Sequence, residues 1–342
     1  MIGTQRSGSN LLRLMLNQLQ EVSAPHPPHI LERFMPLLPM YQDLYIPHNF
    51  RRLVMDICEL VTCNPVAWTD VALNADYIIN HCKENTLLEI VRMVYEEKAK
   101  SEGANIWMCK SMANIHYADV LEASLQPFYI FLYRDGRDVA CSFKKAVVGE
   151  KHIYHIAKQW KEEQDKCMAL QQQVGNKKCI AVCYEDLILH PKKELQRICA
   201  FIGVTYHEDC LRYHHSKEAM NTASSGAMWH NVKKEVLPDN CNKYRNSLTA
   251  DEIALFEKVA GSTLQRLGYT LDFPYSLHQT LSTSEIESYS LLNKQLKEEA
   301  KCRQTPEDAA KRKKQDALLN RLKMQMESLM LKDEPAVHRI AV

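Results

Sequence analysis

The sequence predicts an α/β protein: an open, mostly parallel β-sheet flanked by helices, with a C-terminal helical extension. Three observations predict it. Four short runs are almost continuously apolar, as strands covered on both faces of a parallel sheet are. Helix-period segments separate those runs, the alternation that parallel pairing requires. A glycine-framed turn joins the first run to an amphipathic stripe.

The runs are residues 1–4, 105–109 (NIWMC), 128–133 (FYIFLY) and 179–184 (CIAVCY). The first helix follows at once, from the stripe Leu11, Leu12, Met15, Leu16 and Leu19. A second stripe covers residues 85–100, with its charges gathered at the C-terminal end. Further helices are expected over 136–147, 153–173, 192–201 and 249–267. Thr249 with Glu252 three residues on has the pattern of a capping box. With right-handed crossovers, the turns at 3–10, 110–116 and 134–142 share the carboxyl edge of the sheet, where such folds bind ligands. Residues 1–275 are expected to form one domain, in which 28–104 is a largely helical insertion and lid. Residues 283–342 read as helices appended to it, with Leu318, Leu322, Met326 and Leu329 at helical spacing. They either pack back on the core, the simpler expectation, or pair with a second copy as a homodimer.

Composition bounds the function. The 342 residues are 46% hydrophobic and 25% charged, ordinary for a globular chain. Lys and Arg number 43 against 42 Asp and Glu, so a general nucleic-acid binder is not expected. No apolar run reaches the about 18 residues of a membrane span. Arg6 and Arg13 interrupt any signal-peptide layout, and the expected location is cytoplasmic. The 12 cysteines are scattered, with no Cys-x-x-Cys pair, so reduced thiols and no metal site are expected.

The turn Gly3-Thr-Gln-Arg-Ser-Gly8-Ser-Asn10 has the Gly-x-x-x-x-Gly spacing of a phosphate loop and makes the sheet P-loop-like. Glycines let the backbone curl, and the helix N-terminus offers N–H groups to an anion. It lacks the lysine that follows the second glycine in nucleotide triphosphatases and the hydroxyl that holds Mg²⁺; Ser9 and Asn10 stand there, and Arg6 sits inside the loop. Such a loop suits a phosphate-type anion handled without metal. After the third run, Arg134 leaves the strand end and Ser142 lies two helical turns on, so both can face one phosphate. Taken alone, Arg134, Asp135, Arg137 and Asp138 read as a solvated charge cluster. Two anion sites on one sheet edge imply a single ligand with two separated phosphate-like groups.

These residues resemble the sulfotransferases that use 3′-phosphoadenosine 5′-phosphosulfate. TQRSGSNLLRLML resembles their 5′-phosphosulfate loop and FLYRDGRDVACSF their 3′-phosphate site. CYEDLILHPKKELQRICAFIGV and NKYRNSLTADEIALFEKVAGSTLQRLGY are similar to the two segments that follow, in family order over residues 1–270. The resemblance implies that Arg6, Ser7, Gly8, Ser9 and Asn10 hold the phosphosulfate, that Arg134 and Ser142 hold the 3′-phosphate, and that Tyr184 contacts adenine. Lys233 or Lys234 would close over the 3′-phosphate, or form a solvated pair. Arginine at position 6 looks like the tyrosylprotein and some bacterial members.

Sulfuryl transfer needs an in-line acceptor, cations on the leaving oxygens and a base. Arg6 and Lys110 are the cation candidates. Cytosolic members carry Lys-Thr-His; the matching run here is Lys110-Ser111-Met112, without the histidine. The base is therefore sought in Pro25-His26-Pro27-Pro28-His29, with His26 first and His29 second; Glu32 and His116 remain alternatives. The acceptor is a small molecule bearing a hydroxyl. Phe34, Met35, Met40, Tyr41, Tyr45, Phe50 and Trp68 suggest a lipophilic or aromatic alcohol, unless they pack the core. The competing functions are a metal-dependent kinase and a non-catalytic scaffold acting through the tail.

Overall fold

The computed structural model describes residues 1–278 and 280–333. Every strand pairing in it is parallel. β1 (Val22–Ser23) pairs with β2 (Ile106–Trp107), and β3 (Tyr129–Tyr133) pairs with β4 (Cys179–Cys183) in the register Tyr129↔Cys179 to Tyr133↔Cys183. Residues 1–2 lie between the two ladders. The Met1 ammonium donates to Cys109 O at 2.9 Å, and Ile2 bridges Phe131.

Two strand expectations change. Residues 1–4 supply only that bridge, because Gly3, at φ 133°, takes the chain out of the sheet against the Leu132 carbonyl. β1 was not anticipated, since a two-residue buried strand carries no period. The run 105–109 shortens to the two residues of β2.

The helices follow their stripes closely. α1 (Ser9–Leu16) buries Leu12, Leu14, Met15 and Leu16. Buried Arg13 ties it to the rest, donating to Ala24 O at 2.9 Å, Glu218 at 2.7 Å and Thr222 at 2.8 Å. Residues 28–104 carry α2 (Ile30–Phe34), α3 (Pro47–Thr62), α4 (Ala75–His81) and α5 (Leu87–Ser101). Then come α6 (Ala118–Ser124), α7 (Gly136–Lys145) and α8 (Ile153–Val174). After β4 come α9 (Tyr184–Leu189) and α10 (Pro191–Ile202), the latter opened by its proline and ended by Gly203 in the left-handed region. α11 (Lys217–Ser224), α12 (Tyr244–Ser247) and α13 (Ala250–Arg266) complete the body, and α13 has the Thr249–Glu252 capping box.

The appended helices, α14 (Thr283–Cys302) and α15 (Pro306–Asp333), pack back on the body. Asn293 on α14 accepts from the backbone N–H groups of Lys151 and His152, both at 2.9 Å. Leu318 and Leu322 on α15 join the cluster of Phe34, Tyr41 and Phe50. The apolar seam that a homodimer would use is thus buried within the chain. Residues 334–342 of the predicted extension lie outside the described residues.

Candidate active site

The loop between Ile2 and α1 curls because Arg6 and Gly8 both adopt positive φ, 72° and 88°. Gly8 lies so close to the Tyr184 ring that a Cβ would strike it. The curl turns Arg6 toward α7, where its Nε donates to Ser142 Oγ at 2.9 Å. Burial, with Arg134 adding repulsion, pulls the Arg6 guanidinium down to about 10, so it stays charged at neutral pH. Ser7 Oγ is buried with no partner among the described residues.

Arg134 leaves the end of β3. It donates to Asn240 O at 2.8 Å, to Asp138 at 3.3 Å and to Arg6 O at 3.4 Å, while its Nε is buried without a partner among the described residues. Its guanidinium lies 4.4 Å from the centroid of Tyr184. Tyr184 Oη accepts from Asn240 Nδ2 at 2.6 Å. The Arg-Asp-Gly-Arg-Asp segment is a buried network rather than a solvated cluster. Asp135 accepts from the Arg137 guanidinium at 2.7 Å, Glu257 accepts from Arg137 at 2.6 Å, and Asp138 accepts from Tyr244 N at 2.9 Å. The two ion pairs and the backbone hydrogen bond fix the strand-to-helix turn that carries Arg134.

A cleft of about 720 Å³ opens on these residues. Arg6, Gly8, Ser9, Asn10, Arg134, Ser142 and Tyr184 line one part of it. Lys110 is buried on its wall; burial first, then Arg13 and Arg6, bring its ammonium down to about 7. His26, His29 and Glu32 line the next part. The His26 carbonyl accepts from Trp68 at 2.7 Å and Asn64 at 3.0 Å, which fixes this proline-rich loop. Both His26 ring nitrogens are buried without partners among the described residues, and burial, with Lys110 next, holds its imidazole well below the usual range. His29 has φ 59°, and its Nδ1 lies 2.8 Å from Ser111 Oγ and 3.3 Å from Glu32. Burial lowers His29, partly offset by Glu32; the hydrogen bond to His29 lowers Glu32.

The other candidates lie elsewhere. His116 faces α8, 3.6 Å from Glu163, outside the cleft lining. Lys233 and Lys234 are exposed and outside it too, whereas Lys243 lines it. Of the aromatic insertion residues, Phe34, Met40, Tyr41, Phe50 and Trp68 are buried in the core, Met35 packs against it, and Tyr45 is exposed. None lines the cleft. Sequence reasoning missed Arg33, Trp229, Asn240, Arg312 and Gln315, all lining residues with no motif to mark them. Among the described residues no group of His, Cys, Asp or Glu is placed to hold a metal ion, and no helix is long and apolar enough to cross a membrane.

The model of a family described as the sulfotransferase family matches residues 1–208. Protein-tyrosine sulfotransferase A of Caenorhabditis elegans is 31% identical over 108 residues, which are 31% of this chain and 27% of that protein. The match thus spans well under half of that relative's length. The sulfotransferase domain of the Synechococcus PCC 7002 olefin synthase superposes with a TM-score of 0.50 at 23% identity, covering 75% of this chain and 92% of that one. The sulfotransferase domain of the curacin biosynthetic pathway gives 0.51 at 18%, covering 79% and 96%. Likeness at such identities speaks for the fold.

Proposed function

The chain belongs to the sulfotransferase family, and we propose that it moves a sulfuryl group from 3′-phosphoadenosine 5′-phosphosulfate to a hydroxyl acceptor. The observation that carries the reading is the junction of the two anion sites. Arg6 of the loop reaches Ser142, and Arg134 reaches back to the Arg6 carbonyl, so both sites open on one cleft. Arg134, which lines the cleft, has a buried Nε with no partner among the described residues; Ser7 Oγ, also without one, lies behind the lining. Buried polar groups are ordinarily hydrogen-bonded, so an anion with several oxygens fits here.

In this reading Ser7, Ser9, Asn10 and the loop N–H groups hold the 5′ end, Arg134 and Ser142 hold the 3′-phosphate, and Tyr184 flanks the base. Lys243, which lines the cleft, takes the closing role for which Lys234 was a candidate. When bound, the donor supplies an activated sulfuryl group. Arg6 and Lys110 then hold positive charge where the leaving oxygens develop negative charge.

Geometry favours His29 as the base, ahead of His26. Its Nδ1 lies against Ser111 and Glu32; in the tautomer that donates to the carboxylate, Nε2 is left to accept the acceptor's proton, and a base oriented by a third group is the usual arrangement. The acceptor reading changes in emphasis, because the expected aromatic wall packs the core. An aromatic alcohol now rests on Trp229, which lines the cleft beside His26. All 12 cysteines are free, which supports a reducing compartment such as the cytoplasm.

The test is release of adenosine 3′,5′-bisphosphate from the donor, with EDTA present, across a panel of alcohols and phenols. Release that depends on acceptor and survives EDTA supports the reading. A strict Mg²⁺ requirement would favour a kinase, and no release with any hydroxyl contradicts transfer.

A further inference from the structure

One end of the cleft is built partly by a helix outside the matched region. Arg312 and Gln315 of α15 line it, as does Arg33 of α2. The helix is firmly seated there: Gln315, Leu318 and Leu322 are buried, Lys311 Nζ donates to Ser224 O, and Arg321 donates to Glu59 at 2.7 Å. Its position is therefore a fixed part of the wall.

Arg33 Nη1 and Arg312 Nε are buried without a hydrogen-bond partner among the described residues. Both residues are half-buried, and among the described residues neither forms an ion pair within 4.0 Å, whereas Arg13, Arg134 and Arg137 all do. Burial lowers Arg33, and Arg312 repels it. Glu32 and Asp316 are the carboxylates whose charge reaches Arg33, and Glu32 is already engaged with His29. The Arg312 guanidinium lies 5.7 Å from the Trp229 centroid, and Trp229 meets His26 edge-on at 5.0 Å.

The charges of the cleft act on one another in sequence. Arg134 acts on Arg6, Arg6 on Lys110, Lys110 on His26 and His29, and Arg312 on His26 and Arg33. Arg33 lies one helical turn from His29, its N–H donating to the His29 carbonyl at 3.1 Å, and Arg312 reaches His26 through Trp229, so the pair stands beside the two candidate bases. Two half-buried guanidinium groups on one cleft wall, each with a buried nitrogen that has no partner among the described residues, are matched by an oxyanion, which accepts forked hydrogen bonds.

We propose that Arg33 and Arg312 form an anion subsite for the acceptor, which carries a carboxylate or phosphate-type group in addition to its hydroxyl. The proposal rests on the sulfotransferase reading for its assignment of this end to the acceptor. It makes α15 part of substrate recognition.

The test uses the full chain and three phenols: 4-hydroxyphenylacetate, 4-hydroxybenzylphosphonate and the neutral 4-hydroxyphenylacetamide. Each is titrated calorimetrically with and without saturating adenosine 3′,5′-bisphosphate. At least one anionic phenol binds about tenfold tighter than the amide, and the tighter one names the group. Arg312→Gln reduces that preference to within about twofold and Arg312→Lys keeps part of it, while nucleotide affinity and melting temperature are unchanged. Equal binding of anionic and neutral phenols, binding of none, or a preference that survives Arg312→Gln overturns the subsite. Failure of the nucleotide itself to bind overturns the donor reading instead, and the nucleotide-free titrations still judge the subsite.

Discussion

Lys110 is an amine held at about 7 by burial and by Arg13 and Arg6. Above that pH the folded chain releases a proton that the unfolded chain keeps up to the ordinary lysine range. The group's penalty on folding is therefore relieved as pH rises from about 7 to about 10.5. A bound polyanion acts the other way and pulls the proton back. Affinity for adenosine 3′,5′-bisphosphate should fall about tenfold between pH 6 and 9, with proton uptake on binding at pH 8, and Lys110→Arg should flatten the profile. Calorimetry in buffers of different ionisation enthalpy reads this; binding without proton uptake would remove Lys110 from the donor site. His29 has the opposite dependence on its neighbour, because Glu32 raises a pKa that burial lowers. Glu32→Gln should move the acidic limb of kcat/KM to lower pH and reduce kcat about tenfold to hundredfold. A limb unmoved by Glu32→Gln would return the base to His26. Arg134, Ser142 and Tyr184 were legible as cleft residues because each sits at a fixed offset from the end of an apolar run, and Arg6 because two glycines frame its loop. Trp229, Arg312 and Arg33 were not, since they converge from separate segments and no local pattern records that.

At the scale of elements, the site depends on two turns that lead into helices. The first holds its shape only with glycine at position 8, where φ is 88° and the Tyr184 ring fills the space of a Cβ. Gly8→Ala should destabilise the fold by about 1–3 kcal/mol and remove nucleotide binding, read by denaturant melts and titration on one preparation. Unchanged binding would mean that the loop does not hold the anion. The second turn is held by Arg137 between Asp135 and Glu257, a network that reads in sequence as solvated charge because Glu257 is contributed from α13. β3 and β4 were legible as unbroken apolar runs. The strand expected over residues 1–4 was not realised, because the chain must leave the sheet at Gly3 to form the loop.

For the whole molecule, the C-terminal helices are wall and core together. The spacing of Leu318 and Leu322 foretold a buried face, and the structure supplies its partner, the cluster around Phe34, Tyr41 and Phe50. Leu322 is fully buried, so Leu322→Ala should cost about 2–5 kcal/mol in denaturant unfolding. A change under about 0.5 kcal/mol would detach α15 from the body and leave the dimer reading open. The insertion's aromatic residues turned out to be that same core, which is why they said little about the acceptor.

The central claim is a metal-independent donor site made by the loop and Arg134. The most direct test is calorimetric titration with adenosine 3′,5′-bisphosphate, in EDTA and in Mg²⁺, on the wild type and Arg134→Ala. The expected result is the same affinity in both buffers and a loss of about hundredfold in the variant. Absence of binding by the folded wild type, binding only with Mg²⁺, or full affinity in Arg134→Ala would contradict it.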